Sequence, residues 1–449
     1  MIDRFAKNVV NDWIRTGKEA CLVTGARQIG KTYLIRECLK ESGLPYVELN
    51  FIERPELIEL FSGAKDAKDL IMRLSLVTDK PLENGNTIFF LDEVQEFKDI
   101  ITRIKFLVED GTYRYIMSGS LLGVELNDLR SAPVGYLKIY DMYPLCFEEF
   151  GRALGINSDI FEMLKGCFNK RLVVDEFIHN KMLDTFYLYI IIGGMPEAVD
   201  VYLKTNDLLR VAEVHDKIIR LYRTDFTKYE SKYKLKLQEI YDSMPGQLDQ
   251  KNKRFKLNCI GKGVSYDRVA NDFLWLKDAG VVIPVYNISE PKLPLVISEN
   301  RNLFKLFFSD VGLLTSRYSN YVKMAILNKE KSINNGALFE NVIAQELLSK
   351  GLMEYYFNSK KQGELDFVIE LDGKVVPLEI KSGKDYKKHS ALDNVLGNEE
   401  YDISEAYVFS EGNVEVNKKR VYMPIYMIMF LENQQLENSI YKLDLSSLK

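Results

Sequence analysis

Residues 21–33 read CLVTGARQIGKTY, and the fold is decided in this stretch. Residues 21–24 form a short apolar run with the composition of a buried strand, and residues 33–40, YLIRECLK, read as the start of a helix. Between them residues 25–32 spell G-x-x-x-x-G-K-T. A strand, such a loop and a helix together aim backbone N–H groups and the positive end of a helix dipole at one point, which is what a chain of phosphates requires. The candidate nucleotide-contact residues are therefore Gly25, Ala26, Arg27, Gln28, Ile29, Gly30, Lys31, Thr32 and the adjoining Tyr33. Lys31 is expected to reach the β- and γ-phosphates, and Thr32 to place its hydroxyl on magnesium.

Outward from this loop, β-rich apolar runs alternate with amphipathic stretches from residue 20 to about 150, at 46–51, 87–91, 113–117 and 136–140. That alternation predicts a parallel sheet flanked by helices. The run 87–91, TIFFL, delivers Asp92 and Glu93 at its C-terminal end, the edge where open α/β sheets bind ligands. Asp92 is expected to hold magnesium through water, and Glu93 to orient and polarise the water that attacks the γ-phosphate. The run 113–117 ends in Ser118-Gly119-Ser120. There a hydroxyl such as that of Ser118 suits sensing the γ-phosphate or helping to place the water, while Ser-Gly-Ser taken alone is better explained as a turn.

A chain of 449 residues is too long for one ordinary core, and three domains are expected, at 1–150, 151–330 and 331–449. The second is mainly helical. Helical spacing at 235–244 and 266–280, a strand at 281–286 and the turn EPKLP follow the order of a winged helix, or of a helical connector that only packs. The third begins with a helix over 337–350 and continues as strands at 355–358, 364–371, 374–381, 406–409 and 420–426. With 46% hydrophobic and 28% charged residues the composition is that of a globular protein, and a net charge of −5 offers no global attraction to nucleic acid or anionic membranes. Any nucleic-acid contact must then come from local basic patches such as Lys360, Lys361, Lys384, Lys387 and Lys388. Five cysteines without C-x-x-C spacing, only three histidines, no signal-like N-terminus and no apolar run near the ~20 residues of a membrane span point to a soluble, cytoplasmic protein.

Residues 363–383 read GELDFVIELDGKVVPLEIKSG, two alternating runs joined by Asp372-Gly373, a strong hairpin signal. With those two residues as the loop, Leu371 faces Lys374 and Asp366 faces Glu379 in a non-hydrogen-bonded pair, with Cα atoms about 4.5 Å apart. Lys381 shares their face, while Leu365, Phe367, Ile369, Val376, Leu378 and Ile380 make the core side. Facing carboxylates destabilise a hairpin unless positive charge lies between them. A divalent cation would supply it; a solvated strand face with a Lys381 salt bridge would relieve part of it.

Two resemblances follow from these motifs. GARQIGKT, LDEVQ after the Asp92 strand, SGS, YPLCFEEF at 143–150, GGMPEAV at 193–199 and YRTDFTKYE at 222–230 make nearly the whole chain similar to the bacterial and archaeal AAA-type ATPases whose C-terminal half is a domain of unknown function. This resemblance implies ATP binding at 25–32 and Asp92-Glu93, with a ring or dimer as assembly. The family commonly carries Gly-Arg before the YPL segment, where this chain has Gly135-Tyr136, leaving Arg130 or Arg223 as substitute arginine fingers. The D-x(12)-E-x-K spacing after a helix carrying Glu340 resembles the PD-(D/E)XK nuclease fold, which is restriction-endonuclease-like, with Leu365 in place of the leading proline. That resemblance implies magnesium at Asp366 and Glu379, contacted by Glu340 directly or through water, with Lys381 positioning the attacking water or stabilising the phosphorane. The function expected is an ATP-binding and ATP-hydrolysing protein acting on DNA through a magnesium-dependent nuclease-like domain. The alternatives are a nucleotide-controlled switch with an inactive nuclease fold, and an oligomerising signalling or defence ATPase.

Overall fold

The computed structural model describes residues 2–78, 80–97, 99–120, 135–227, 234–250, 252–261, 263–383, 385–434 and 443. Five parallel strands, β1 (Ala20–Thr24), β2 (Tyr46–Asn50), β3 (Ile88–Asp92), β4 (Arg114–Ser118) and β5 (Leu137–Asp141), form one sheet in the order β2-β3-β4-β1-β5. Alternation sends Cys21, Val23, Ile88, Phe90 and Ile116 into one core and Leu22, Phe89, Leu91, Tyr115 and Met117 into another. Both faces of the central strands β1, β3 and β4 are covered, which is why these three read as nearly unbroken apolar runs, whereas the edge strands β2 and β5 are only partly buried. β1 and β3 are separated only by β4, so the loop after β1 and the acidic end of β3 open on the same edge.

Helices then dominate, at Phe147–Ala153, Ser158–Lys170, Glu176–Ile192, Pro196–Thr205, Leu208–Phe226, Lys234–Leu248 and Ala270–Asp278. Asp175 and Asp207 start two of them, each side chain accepting N–H groups of the first turn. No single helix among the described residues is long and apolar enough to cross a membrane.

The second sheet is mixed and has eight strands, in the order β12-β13-β11-β10-β9-β8-β6-β7. Its members are β6 (Val282–Ile288), β7 (Glu299–Phe308), β8 (Glu354–Ser359), β9 (Gly363–Leu371), β10 (Lys374–Ile380), β11 (Ala406–Ser410), β12 (Glu415–Asn417) and β13 (Arg420–Pro424). The sheet therefore runs across residue 330, because β6 pairs with β8 in parallel and with β7 antiparallel. β7 has no counterpart in the sequence reading: its first half, Glu299-Asn300-Arg301-Asn302, is largely exposed and shows no alternation. The helix Gly336–Ser349 packs on this sheet, with Ala337–Leu347 buried throughout.

The β9–β10 hairpin has the expected register from Leu371–Lys374 to Phe367–Leu378. One feature departs from regular alternation. On the other side of β9, Tyr355 pairs with Val368 and Phe357 with Leu365, so Asp366 and Phe367 together oppose Tyr356. This is a β-bulge, and a bulge resets the side-chain parity. Leu365 accordingly packs in a different cluster from Phe367 and Ile369, correcting the single core side read from the sequence.

Candidate nucleotide site and carboxylate cluster

The loop after β1 needs glycine where it begins. Gly25 has φ +132°, and a Cβ there would lie 2.2 Å from the Met142 carbonyl oxygen. The loop ends in the helix Lys31–Ser42, whose first residue is buried. Lys31 Nζ donates to the carbonyls of Gly25 (2.9 Å) and Ala26 (2.7 Å). Burial pulls its pKa down to about 8, with Glu93 and Asp92 acting against that. Tyr33, in the first turn of the helix, is exposed.

Asp92 ends β3 and is 1% exposed. Thr32 Oγ1 donates to its Oδ1 at 3.0 Å, Asn50 Nδ2 to its Oδ2 at 3.0 Å, and the Ser118 hydroxyl to Oδ1. Burial raises its pKa from 3.8, while the Ser118 and Thr32 hydrogen bonds oppose the rise. Three neutral donors orient the carboxylate without cancelling its charge. A threonine hydroxyl and a carboxylate, both hard oxygen donors, suit magnesium. Glu93 follows in a left-handed conformation, φ 57°, and its Oε2 accepts from Gln95 Nε2 at 2.6 Å.

The loop also reaches the helical part. Arg27 forms an ion pair with Asp225 on the helix Leu208–Phe226, at 2.8 Å, and its Nε donates to Ser120 Oγ at 3.3 Å. Tyr222, on the same helix, donates to the Arg27 carbonyl at 3.3 Å. Gly280 abuts the loop so closely that a Cβ there would be 3.0 Å from the Ala26 nitrogen. Arg223 pairs instead with Asp242 (2.5 Å), which Arg317 shares at 3.2 Å. Arg130 lies outside the described residues.

The second constellation gathers at the bulge. Asp366 Oδ2 accepts the Ile380 N–H at 2.8 Å. Glu340, 2% exposed on the helix Gly336–Ser349, is ion-paired with Lys253 and lies 3.5 Å from Lys305 Nζ. Lys305, from β7, is wholly buried; its Nζ is 2.9 Å from Glu364, 4.0 Å from Asp366 Oδ1 and 5.2 Å from the centre of the Tyr356 ring. Burial opposes its charge, but Glu340, Asp366 and Glu364 outweigh that and raise its pKa. Burial likewise works against the Glu340 charge, and Lys253 and Lys305 overcome it, lowering that pKa. Lys381 pairs with Glu379 Oε1 at 2.6 Å, while Glu379 Oε2 is buried without a hydrogen-bond partner. Burial and the Asp366 charge push Glu379 up to about 8.

The residues expected to converge thus do so electrostatically, but not as a common metal pocket. Among the described residues no group of three or more His, Cys, Asp or Glu side chains is arranged to hold a metal ion. Glu340, Asp366 and Glu379 as they stand do not fit the magnesium ion expected of them, because a lysine already faces each carboxylate: Lys253 and Lys305 at Glu340, Lys305 at Asp366 Oδ1 and Lys381 at Glu379 Oε1, leaving only Glu379 Oε2 of these oxygens without a partner. Sequence reasoning missed Asn50, Asp225, Lys253, Glu364 and Lys305. Lys305 had a signal, since a single lysine inside the apolar run LFKLFF must find acidic partners if it is buried. Asn50 and Asp225 had none, because their partners lie 42 and 198 residues away.

Known proteins resemble this chain most clearly at the domain level, in its N-terminal part. Residues 17–151 match the family model described as AAA domain, residues 183–320 a domain of unknown function (DUF8612), and residues 335–428 a second domain of unknown function (DUF4143). No curated protein matches the chain. Among solved structures, a Walker-type ATPase of Pyrococcus abyssi is similar over 70% of this chain and 95% of its own, at 15% identity and a TM-score of 0.43. The ORC1 protein of Aeropyrum pernix in complex with DNA is similar over 72% and 90%, at 13% identity and 0.28. RuvB of Thermotoga maritima is similar over 67% and 90%, at 15% identity and 0.30. The N-terminal part of this chain is an AAA-type P-loop ATPase domain, followed by helical and mixed-sheet regions.

Proposed function

We propose that the chain is an ATP-hydrolysing switch in which the nucleotide state of residues 1–150 is passed through the helical part, 151–330, to a nuclease-like part, 331–449, that acts on DNA in the cytoplasm. The observation that carries this reading is the Arg27–Asp225 ion pair, which ties the phosphate-binding loop itself to a helix of the next region. Thr32 and Asp92 would hold the magnesium that accompanies the nucleotide, and that ion would neutralise charge on the phosphates. Lys31 exchanges the carbonyls of Gly25 and Ala26 for phosphate oxygens. Glu93 releases Gln95 to orient water, and Ser118 keeps Asp92 in place. Lys360, Lys361, Lys387 and Lys388, all exposed, offer charge for a DNA backbone; Lys384 lies outside the described residues.

The test measures ATP hydrolysis and DNA binding by fluorescence anisotropy, with and without ATP. Wild type should hydrolyse ATP and change its DNA affinity with nucleotide; Lys31→Ala should lose both, and Asp225→Asn only the second. Normal hydrolysis by Lys31→Ala would sink the site assignment. Magnesium-dependent cleavage at Asp366, Glu379 and Lys381 is not part of this reading, because lysines already pair with these carboxylates; DNA cutting that disappears in Asp366→Ala would contradict it.

A further inference from the structure

A buried ammonium loses its hydration and is unstable unless acids surround it. Lys305 is surrounded. Its Nζ lies within 4.0 Å of carboxylate oxygens from Glu340, Glu364 and Asp366, which come from a helix and from β9, while the lysine itself comes from β7 on the far side of residue 330. The backbone of Lys305 bridges to Arg254, next to the Lys253 that holds the other oxygen of Glu340. Two ammonium groups from one corner of the molecule are thus delivered to the carboxylates of another. The bulge at Asp366–Phe367 contributes by breaking the alternation of β9 at Asp366.

We infer that the Lys305 ammonium is the resident cation of this cluster, standing where a nuclease-like site would take a divalent metal ion, so that the cluster is closed to metal while Lys305 is in place. This rests on the nuclease-like reading of residues 331–449 but not on the nucleotide switch. A divalent ion entering beside the lysine would meet a like charge at short range with little water to screen it. Removing the ammonium leaves Glu340, Glu364 and Asp366 with a surplus of negative charge in a buried setting, and that surplus is what attracts a divalent cation. The role of Lys305 is therefore to keep the cluster folded without metal and to block metal entry.

The experiment uses the full chain without nucleotide, with Mn²⁺ as probe, followed by electron paramagnetic resonance and by melting in Mn²⁺ against EDTA. Wild type should show no saturable Mn²⁺ binding that depends on Asp366. Lys305→Met should melt lower in EDTA, recover in Mn²⁺, and bind the ion at least about tenfold more tightly than wild type. Adding Asp366→Asn should remove that gain, and Lys305→Arg, which keeps the charge, should not show it. Saturable binding by wild type that is lost in Asp366→Asn would overturn the inference, as would a folded Lys305→Met that binds no better than wild type. If Lys305→Met does not fold, the comparison of wild type with Asp366→Asn alone decides. ATP hydrolysis, measured separately, reports on the first site and is untouched by either outcome.

Discussion

Asp92 and Glu340 are both buried carboxylates, 1% and 2% exposed, each at the centre of a site that sequence motifs marked for magnesium. Their partners differ in kind. Asp92 is held by a threonine, a serine and an asparagine, all neutral, so none of these donors cancels the charge of its carboxylate beside the phosphate-binding loop. Glu340 faces two lysines, and its charge is spent inside the protein. A carboxylate oriented by neutral donors is ready for an incoming cation, whereas one paired with a buried ammonium has its cation built in. Residue type and spacing do not separate these cases; the partners do.

The comparison breaks or sharpens at several points. The largest effect should come from Glu93→Gln, where loss of the water-orienting carboxylate should lower kcat for ATP by about 10²–10⁴-fold, with nucleotide affinity kept, in steady-state kinetics and a binding titration. Lys305→Met, which takes the ammonium from the partly buried Glu364 and Asp366 and leaves the buried Glu340 with Lys253 alone, should cost up to about 3–5 kcal/mol in urea unfolding without metal. A loss near zero would mean that the lysine is not the charge that holds the cluster.

The helix carrying Glu340 offers an internal control in Glu346, which is buried, accepts the Phe147 N–H at 2.6 Å and has its pKa pushed by burial from 4.5 to about 7. A raised carboxyl pKa means that the folded state binds the proton more tightly. Its contribution is therefore greatest below pH about 4.5 and is lost as pH rises through about 7. Glu340, with its pKa lowered, has the opposite sign and loses its contribution as pH falls. Glu346→Gln should flatten the fall in stability between those two pH values, by roughly 1–3 kcal/mol in melts across the window. The smallest effect should be the coupling of Arg27 and Asp225, about 0.5–2 kcal/mol in a double-mutant cycle read out as the ATP-induced change in DNA affinity.

Much of the first sheet was legible, because its central strands β1, β3 and β4 are almost wholly buried and apolar and their ends are marked by GARQIGKT, Asp92-Glu93 and Ser118. The β9–β10 register was legible too, since Asp372-Gly373 fixes the turn and alternation fixes the pairing. Three features were not. β7 is half exposed and half buried, so neither strand pattern fits it over its whole length. The bulge at Asp366 is a property of pairing with β8, and no residue within β9 announces it. Lys305 reaches Glu340, Glu364 and Asp366 only because β6 and β7 join a sheet whose other strands begin 46 residues after β7 ends.

The most direct measurement is a count of Mn²⁺ ions bound per chain at saturation, with a non-hydrolysable ATP analogue present. One ion is expected, lost in both Lys31→Ala and Asp92→Asn and indifferent to Asp366→Asn. Two ions, one of them removed by Asp366→Asn, would contradict the distinction between a site that awaits its cation and a site that already contains one.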